Sequence, residues 1–447
     1  MKSYSTLCRM MLSGAALTAL MSACTFEQED YFDESAALRI QHVNEEIKAA
    51  LCAPSSENGW LIQYYVAGTD DYDFEGFNLF GKFYESGKVT LSSDHRFLRN
   101  ANAGKFTEYT SYYEMLSEEG PVLCFNTWND ILSVFVDPVS PSSAPNALID
   151  DGEGMNGDDR LVVVSYNSDE ILLRGERHTQ PIRFVRLDRS PEEYLAGTAS
   201  AKAIFASGRI NEFSLSNGEA ERFISGLSKG YFDYVDRLDD PLDKSVKSCV
   251  FTPTGFRTKN ALALGNDTIQ EFFLNDAKDA LVSGNVVMRP CWERAVATFL
   301  SVANKPVITE DGASPSFESL YKELSDAVTA AYATQTLVGI TFGNSNESSQ
   351  NRRRGLVFTM KAASRSYMVG YEGKITVDGN QLTIDVDVNN HSSNYNTYNS
   401  KGIGVYFDAL ASKMNGTYTM VPNNVFTANS VTATKNDDSS FYFVINL

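Results

Sequence analysis

Apolar and polar residues alternate without a break through Ile375-Thr376-Val377 and again through Leu382-Thr383-Ile384-Asp385-Val386-Asp387-Val388. Between the two runs stands Asp378-Gly379-Asn380-Gln381. A period of two on both sides of a glycine turn describes a β-hairpin with one face buried and one wet. Weaker versions of the pattern recur along the chain. Strands are predicted at 60–66, 77–84, 88–91, 109–115, 123–126, 131–136, 161–166, 170–174 and 182–187. The middle of the chain adds 209–215, 231–237, 249–252 and 269–274, and the end adds 336–342, 355–360, 367–371, 404–407, 416–421 and 440–447. Short strands divided by turn residues at this density indicate antiparallel sheets closed into barrels or stacked as sandwiches.

Helical periodicity is rarer. Ser35 precedes a run ending at Cys52 in which Leu38, Ile47 and Leu51 fall near helical spacing. Acidic residues and a serine at its start suit the helix dipole and cap. Residues 317–332 form a second amphipathic helix, with Leu320, Leu324, Val328 and Ala331 on one face, and 291–302 a third. The fold expected is β-rich α+β. Two antiparallel β units, barrel- or sandwich-like, are each preceded by an amphipathic helix and joined by a mixed middle segment. The boundaries expected are a helix plus β unit at 34–190, the mixed segment at 191–303, a linker at 304–316 and a second helix plus β unit at 317–447.

Residues 1–23 have the form of a leader. Lys2 and Arg9 precede an apolar core at 10–21, shorter than the roughly 20 residues of a membrane span. The core ends Leu20-Met21-Ser22-Ala23-Cys24, and small residues before a cysteine resemble a lipoprotein signal with Cys24 as the acylated residue. Met21 stands where Leu or Val is more usual. Residues 24–33 then form an acidic tether containing Phe26-Glu27-Gln28-Glu29-Asp30. Such a run resembles the surface-export signal of Bacteroidota lipoproteins, the plainer reading being a solvated spacer. The membrane, through a lipid on Cys24, is the first expected partner.

Charge excludes another class of partner. Removal of Lys2 and Arg9 with the leader takes 38 basic residues to 36 against 57 acids, a net −21. A nucleic-acid backbone demands a basic face, so nucleic acid is not expected. Cys52, Cys124, Cys249 and Cys291 lack CxxC spacing; buried free thiols are favoured over disulfides, and zinc is not expected. His42, His95, His178 and His391 match no metal spacing. No P-loop and no GxGxxG following a strand occurs, so neither catalytic residues nor a cofactor can be assigned.

Two stretches could hold ligands. The glycine-rich loop at 150–159 clusters Asp150, Asp151, Glu153, Asp158 and Asp159, oxygen donors suited to a hard cation, although a solvated hairpin loop explains it more simply. Asp385, Asp387 and Asn389 begin like a calcium loop, but Asn390 and Asn396 stand where Gly and Glu are required, so a strand with one wet face fits better. The polar loop at 391–399 surrounds Tyr395 and Tyr398, and exposed tyrosines among Asn and Ser suit polar ligands, sugars included; a hairpin tip is the bland alternative.

Several stretches together carry a family resemblance. They are Phe32-Asp33-Glu34-Ser35-Ala36-Ala37-Leu38-Arg39, Asn58-Gly59-Trp60-Leu61-Ile62-Gln63-Tyr64-Tyr65, Gly81-Lys82-Phe83, Ile171-Leu172-Leu173-Arg174-Gly175-Glu176-Arg177-His178 and Phe251-Thr252-Pro253-Thr254-Gly255. In this order, behind a lipobox cysteine, they resemble the domain-of-unknown-function 4302 family of Bacteroidota lipoproteins. The resemblance covers most of the mature chain and is strongest before residue 280. It implies an outer-membrane, surface-exposed lipoprotein working beside nutrient-uptake proteins, and it brings no activity or catalytic residue. The function expected is therefore a non-enzymatic binding or accessory component of glycan or peptide uptake. A carboxylate-dependent hydrolase of a surface polymer, or a structural subunit of an outer-membrane complex, are the alternatives.

Overall fold

The computed structural model describes residues 34–53, 57–68, 74–138, 154–239, 246–301, 307–343 and 355–447. The chain is β-rich and antiparallel, as the alternation predicts. Its sheets form three units, because the mixed middle segment contains a closed barrel of its own.

Helix α1 (Ala36–Cys52) opens the first unit, capped by Ser35 Oγ, which accepts from the Leu38 N–H at 3.4 Å. Nine strands follow: β1 (Trp60–Tyr64), β2 (Phe77–Phe83), β3 (Lys88–Ser93), β4 (Thr107–Tyr112), β5 (Glu114–Ser117), β6 (Pro121–Cys124), β7 (Arg160–Tyr166), β8 (Glu170–Gly175) and β9 (Pro181–Arg186). They form one sheet in the order β4-β3-β2-β1-β9-β8-β7-β6-β5. Its two edges, β4 and β5, are separated in the chain only by Tyr113, so the sheet must roll up. Ile47 and Leu51 of α1 join Trp60, Ile62, Phe83 and Phe184 in the core inside the roll. Trp60 pairs in register with Arg186. Together they finish the helix: the Trp60 indole N–H donates to the Leu51 carbonyl at 3.1 Å and Arg186 donates to that of Ala50 at 3.3 Å. The last-turn carbonyls of α1, which a helix leaves unpaired, thus gain donors, one of them cationic.

The window at 131–136, expected as a strand, is a turn followed by helix α2 (Ser133–Val136). Asn129 Oδ1 accepts from the Ile131 N–H at 3.0 Å, which bends the backbone out of extended form while Ile131, Val134 and Phe135 stay buried. His95 is buried against this turn, with Nε2 3.0 Å from the Ile131 carbonyl. Burial pushes its pKa from 6.5 down to about 4. The unfolded chain takes up this proton at a higher pH than the folded chain does. The stabilisation is therefore complete above about pH 6.5 and lost as pH falls toward about 4, by roughly 3 kcal/mol for this one group. Urea midpoints measured between pH 7 and pH 4.5 are expected to fall less steeply for His95→Gln than for the parent.

Helix α3 (Pro191–Phe205) opens the second unit with a capping box between Ser190 and Glu193. Its Tyr194 covers Leu61 and Phe80 on the outer face of the first sheet. With both faces covered, all five residues of β1 are buried, Gln63 included. A closed barrel follows: β10 (Glu212–Ser216), β11 (Glu221–Ser225), β12 (Tyr231–Val235), β13 (Val246–Thr252), β14 (Gly255–Leu264), β15 (Asp267–Leu274), β16 (Leu281–Ser283) and β17 (Val286–Pro290), then helix α4 (Trp292–Ser301). Where Gly255 meets β15, a Cβ would lie 1.9 Å from the Phe272 carbonyl oxygen, so only glycine fits.

The third unit is also a closed barrel. It starts at β18 (Val307–Ile308), inside the expected linker, which is therefore part of the barrel. Helix α5 (Pro315–Ala331) buries Phe317, Tyr321, Leu324 and Val328. That face is rotated from the one expected, because the Phe317 ring packs on Phe441 and Phe443. Strands β19 (Thr336–Phe342), β20 (Leu356–Ala362), β21 (Arg365–Asp378) and β22 (Gln381–His391) follow. The expected hairpin is present, with Asp378 opposite Gln381 and Gly379 at φ 55°. Helix α6 (Ser393–Asn399), helix α7 (Gly404–Met414), β23 (Gly416–Pro422), β24 (Ser430–Lys435) and β25 (Tyr442–Asn446) complete the unit. The window at 404–407 is thus the first turn of a helix and not a strand; Phe407, Leu410, Ala411 and Met414 bury one helical face.

The units are tied by polar contacts. The Gly76 N–H donates to the Cys249 carbonyl at 2.9 Å and Asn78 to that of Phe251 at 2.8 Å. Arg209 donates to the Leu447 carbonyl at 2.7 Å, and Phe426 of the third unit joins the core of the second.

Candidate functional site

Of the residues singled out in the sequence, the structure describes Asp158, Asp159, Tyr395 and Tyr398. Cys24, the tether, Asp150, Asp151 and Glu153 lie outside the described residues. Asp158 is buried and committed to the protein. Its Oδ1 accepts from the Arg177 N–H at 2.9 Å and its Oδ2 from the His178 N–H at 3.1 Å, which fixes the β8–β9 turn. Burial raises the pKa of the neighbouring Asp159. Among the described residues no group of three His, Cys, Asp or Glu side chains is placed to hold a metal. Asp385 and Asp387 lie on the exposed face of β22.

Tyr395 and Tyr398 are not on an exposed loop. They lie on α6 and are 6% and 3% exposed. Three residues apart, they share one helix face and turn inward. The Tyr395 hydroxyl donates to Asp408 at 2.6 Å, Tyr371 donates to the same carboxylate at 2.7 Å, and Tyr398 donates to Gln335 at 2.7 Å. These tyrosines hold α6 and α7 against the barrel and present no ring to a ligand. The four body cysteines are free thiols.

A large cleft lies elsewhere. It has a volume of about 1070 Å³ and lies between the second barrel and the third. Its floor is a row of side chains across three strands: Arg289 of β17 and Phe223 of β11 both pair in register with Ser214 of β10. These three face outward because their neighbours Met288, Leu215 and Ile224 fill the barrel. One wall is Asp236 to Asp239 with the first turn of α4, including Trp292 and Glu293; the other is the hairpin tip Gly379-Asn380 with Val425. Arg294 braces the first wall, reaching Glu212 Oε2 at 2.8 Å and Asp239 Oδ2 at 3.1 Å. Its guanidinium holds the Asp239 carboxyl below the usual range. Asp236 pairs with Arg222 at 2.6 Å.

Two half-buried aromatics, Phe223 and Trp292, therefore face a cleft whose rim carries Glu221, Asp279, Glu293, Arg237 and Arg289. The two guanidiniums Arg237 and Arg289 make no ion pair among the described residues. Aromatic faces with a few charged donors and acceptors can stack on and orient a polar ligand. Catalytic features are weaker. The Cys291 thiol is pushed up to about 12, chiefly by burial, and so is no nucleophile at neutral pH. Among the described residues, the carboxyls whose proton affinity burial raises, Asp94 and Asp159, lie outside the cleft. No local signal marks this site in the sequence, since its floor is assembled by strand register from residues 214, 223 and 289.

The fold and cleft define a multi-unit antiparallel β protein with a polar groove between barrels. Residues 28–276 match the family model described as "Domain of unknown function (DUF4302)", and the chain belongs to that family. No curated protein matches it. Among solved structures it is aligned with a DNA polymerase III subunit beta sliding clamp from Bartonella birtlesii at 10% identity, covering 91% of this chain and 97% of that one, with a TM-score of 0.12. The DNA polymerase III subunit beta from Pseudomonas aeruginosa aligns at 9% identity, covering 91% and 97%, also with a TM-score of 0.12. Likeness at that level says nothing about what this chain binds.

Proposed function

We propose that this protein is a lipid-anchored, surface-exposed component of the outer membrane that binds a polar ligand, glycan or peptide, for uptake by partner proteins, and does not itself transform it. The cleft between the second and third units carries this reading: a volume of about 1070 Å³ lined by Phe223, Trp292, Arg289 and further rim charges is of ligand size and mixed polarity. The leader ending at Cys24 supports the anchored location. The carboxylates of the braced wall support binding over hydrolysis. Arg294 holds the Asp239 carboxyl below the usual range, whereas a glycosidase-type pair needs one carboxyl that keeps its proton near neutral pH.

The test is affinity electrophoresis of the mature chain through gels containing neutral or acidic polysaccharides, with titration of oligopeptides in parallel. Retention or binding is expected for one class. The double variant Phe223→Ala with Trp292→Ala should weaken it by at least about tenfold, since aromatic stacking on a ligand contributes on the order of 1 kcal/mol per ring. Binding that is untouched by the double variant would place the site elsewhere.

A further inference from the structure

A second cavity, of about 290 Å³, opens where the first sheet meets the second barrel, and its chemistry differs from that of the cleft. Its apolar side includes Leu172, Pro181 and Val164. Val164 sits at a register shift between Val163 and Ser165, a bulge that turns its side chain out to 63% exposure. The polar side carries Arg174, Arg183, Arg257 and Lys259, and no carboxylate lines the cavity. In a chain with formal net charge −19, four cations around one apolar pocket is a marked local inversion.

The guanidiniums are built in, and part of their donor capacity is unspent. Arg183 and Arg257 reach the same oxygen, Glu271 Oε1, and Arg183 also contacts Glu170. The Arg257 side chain is only 18% exposed, and its Nε and Nη2 donors make no hydrogen bond among the described residues. Arg174 is exposed at the rim and makes no ion pair among the described residues; Glu176, near enough to feel its charge, is engaged by Arg160. Two guanidiniums with free donors beside an apolar wall complement an anion with an apolar tail.

We infer that this pocket binds a small amphipathic carboxylate, its tail on Val164, Leu172 and Pro181 and its head among the guanidiniums of Arg174 and Arg257. The volume, at the small end of ligand pockets, limits the tail to a short chain or a single ring. The site is separate from the cleft and does not depend on the function proposed for it.

Titration calorimetry of the mature chain with decanoate, below the concentration at which it forms micelles, tests this. Decanoate is expected to saturate one site, with decanol at least about tenfold weaker because it cannot engage the guanidiniums as an ion. Arg174→Glu, at an exposed position, should weaken decanoate at least about tenfold, and Val164→Asp, also exposed, should abolish its binding. The cleft variant Trp292→Ala should leave decanoate binding unchanged. Failure of decanoate to bind, decanol binding as tightly, or indifference to Arg174→Glu would each overturn the assignment.

Discussion

Replacing Cys24 with alanine is expected to move the protein from the membrane fraction to the soluble fraction and to abolish palmitate labelling. The physical reason is the size of the proposed anchor. Each acyl CH2 buried in the bilayer contributes about 0.8 kcal/mol, and the several chains of a bacterial lipoprotein sum to a stable attachment where one chain would be marginal. No helix among the described residues is long and apolar enough to cross a membrane. The chain carries 57 acids against 38 bases, a balance that anionic headgroups repel. The substitution is not expected to alter unfolding, because residue 24 precedes the first capped helix at Ala36. A Cys24→Ala protein that still incorporates palmitate would refute the anchor.

The second large effect is on stability. Trp60→Ala is expected to destabilise the first unit by about 4 kcal/mol, read as a lowered midpoint of urea unfolding followed by circular dichroism. Trp60 is 0% exposed and its ring lies under the Arg186 guanidinium at 4.4 Å. It also donates to the last turn of α1. Truncation opens a large cavity between helix and sheet and removes the surface on which Arg186 rests. Trp60→Phe retains most of the ring and loses the N–H donor, so its cost should be nearer 1–2 kcal/mol, a value of about that size being typical of a lost buried hydrogen bond. A small effect for Trp60→Ala would mean that α1 is not secured through this residue.

What could be read in advance followed local signals. The hairpin at Ile375–Val388 was plain because strict alternation and a glycine turn coincide, and Gly379 does take a positive φ. Helix α1 was plain because Ser35 caps it and its apolar spacing is helical. Failures came where a short window misled. Gly404-Val405-Tyr406-Phe407 has strand-like composition, but extending the window to Met414 reveals the helical spacing of Phe407, Leu410, Ala411 and Met414. Tyr395 and Tyr398 looked exposed because their neighbours are polar, yet the buried partners Asp408 and Gln335 come from distant segments. The cleft was invisible for the same reason: Ser214, Phe223 and Arg289 become neighbours only once the second barrel closes. The middle segment likewise hid a full barrel, because strands as short as Leu281–Ser283 carry too few residues to show a period.

The most direct measurement of the central reading is the fate of a ligand retained by the cleft. The mature chain is incubated overnight with whichever polysaccharide or peptide it retains, and the ligand is then recovered and weighed by mass spectrometry, beside the Phe223→Ala, Trp292→Ala double variant. The ligand is expected back at its original mass, with retention lost in the variant. Shortened products from the parent protein, absent with the variant, would contradict a binding role and make the cleft an active site.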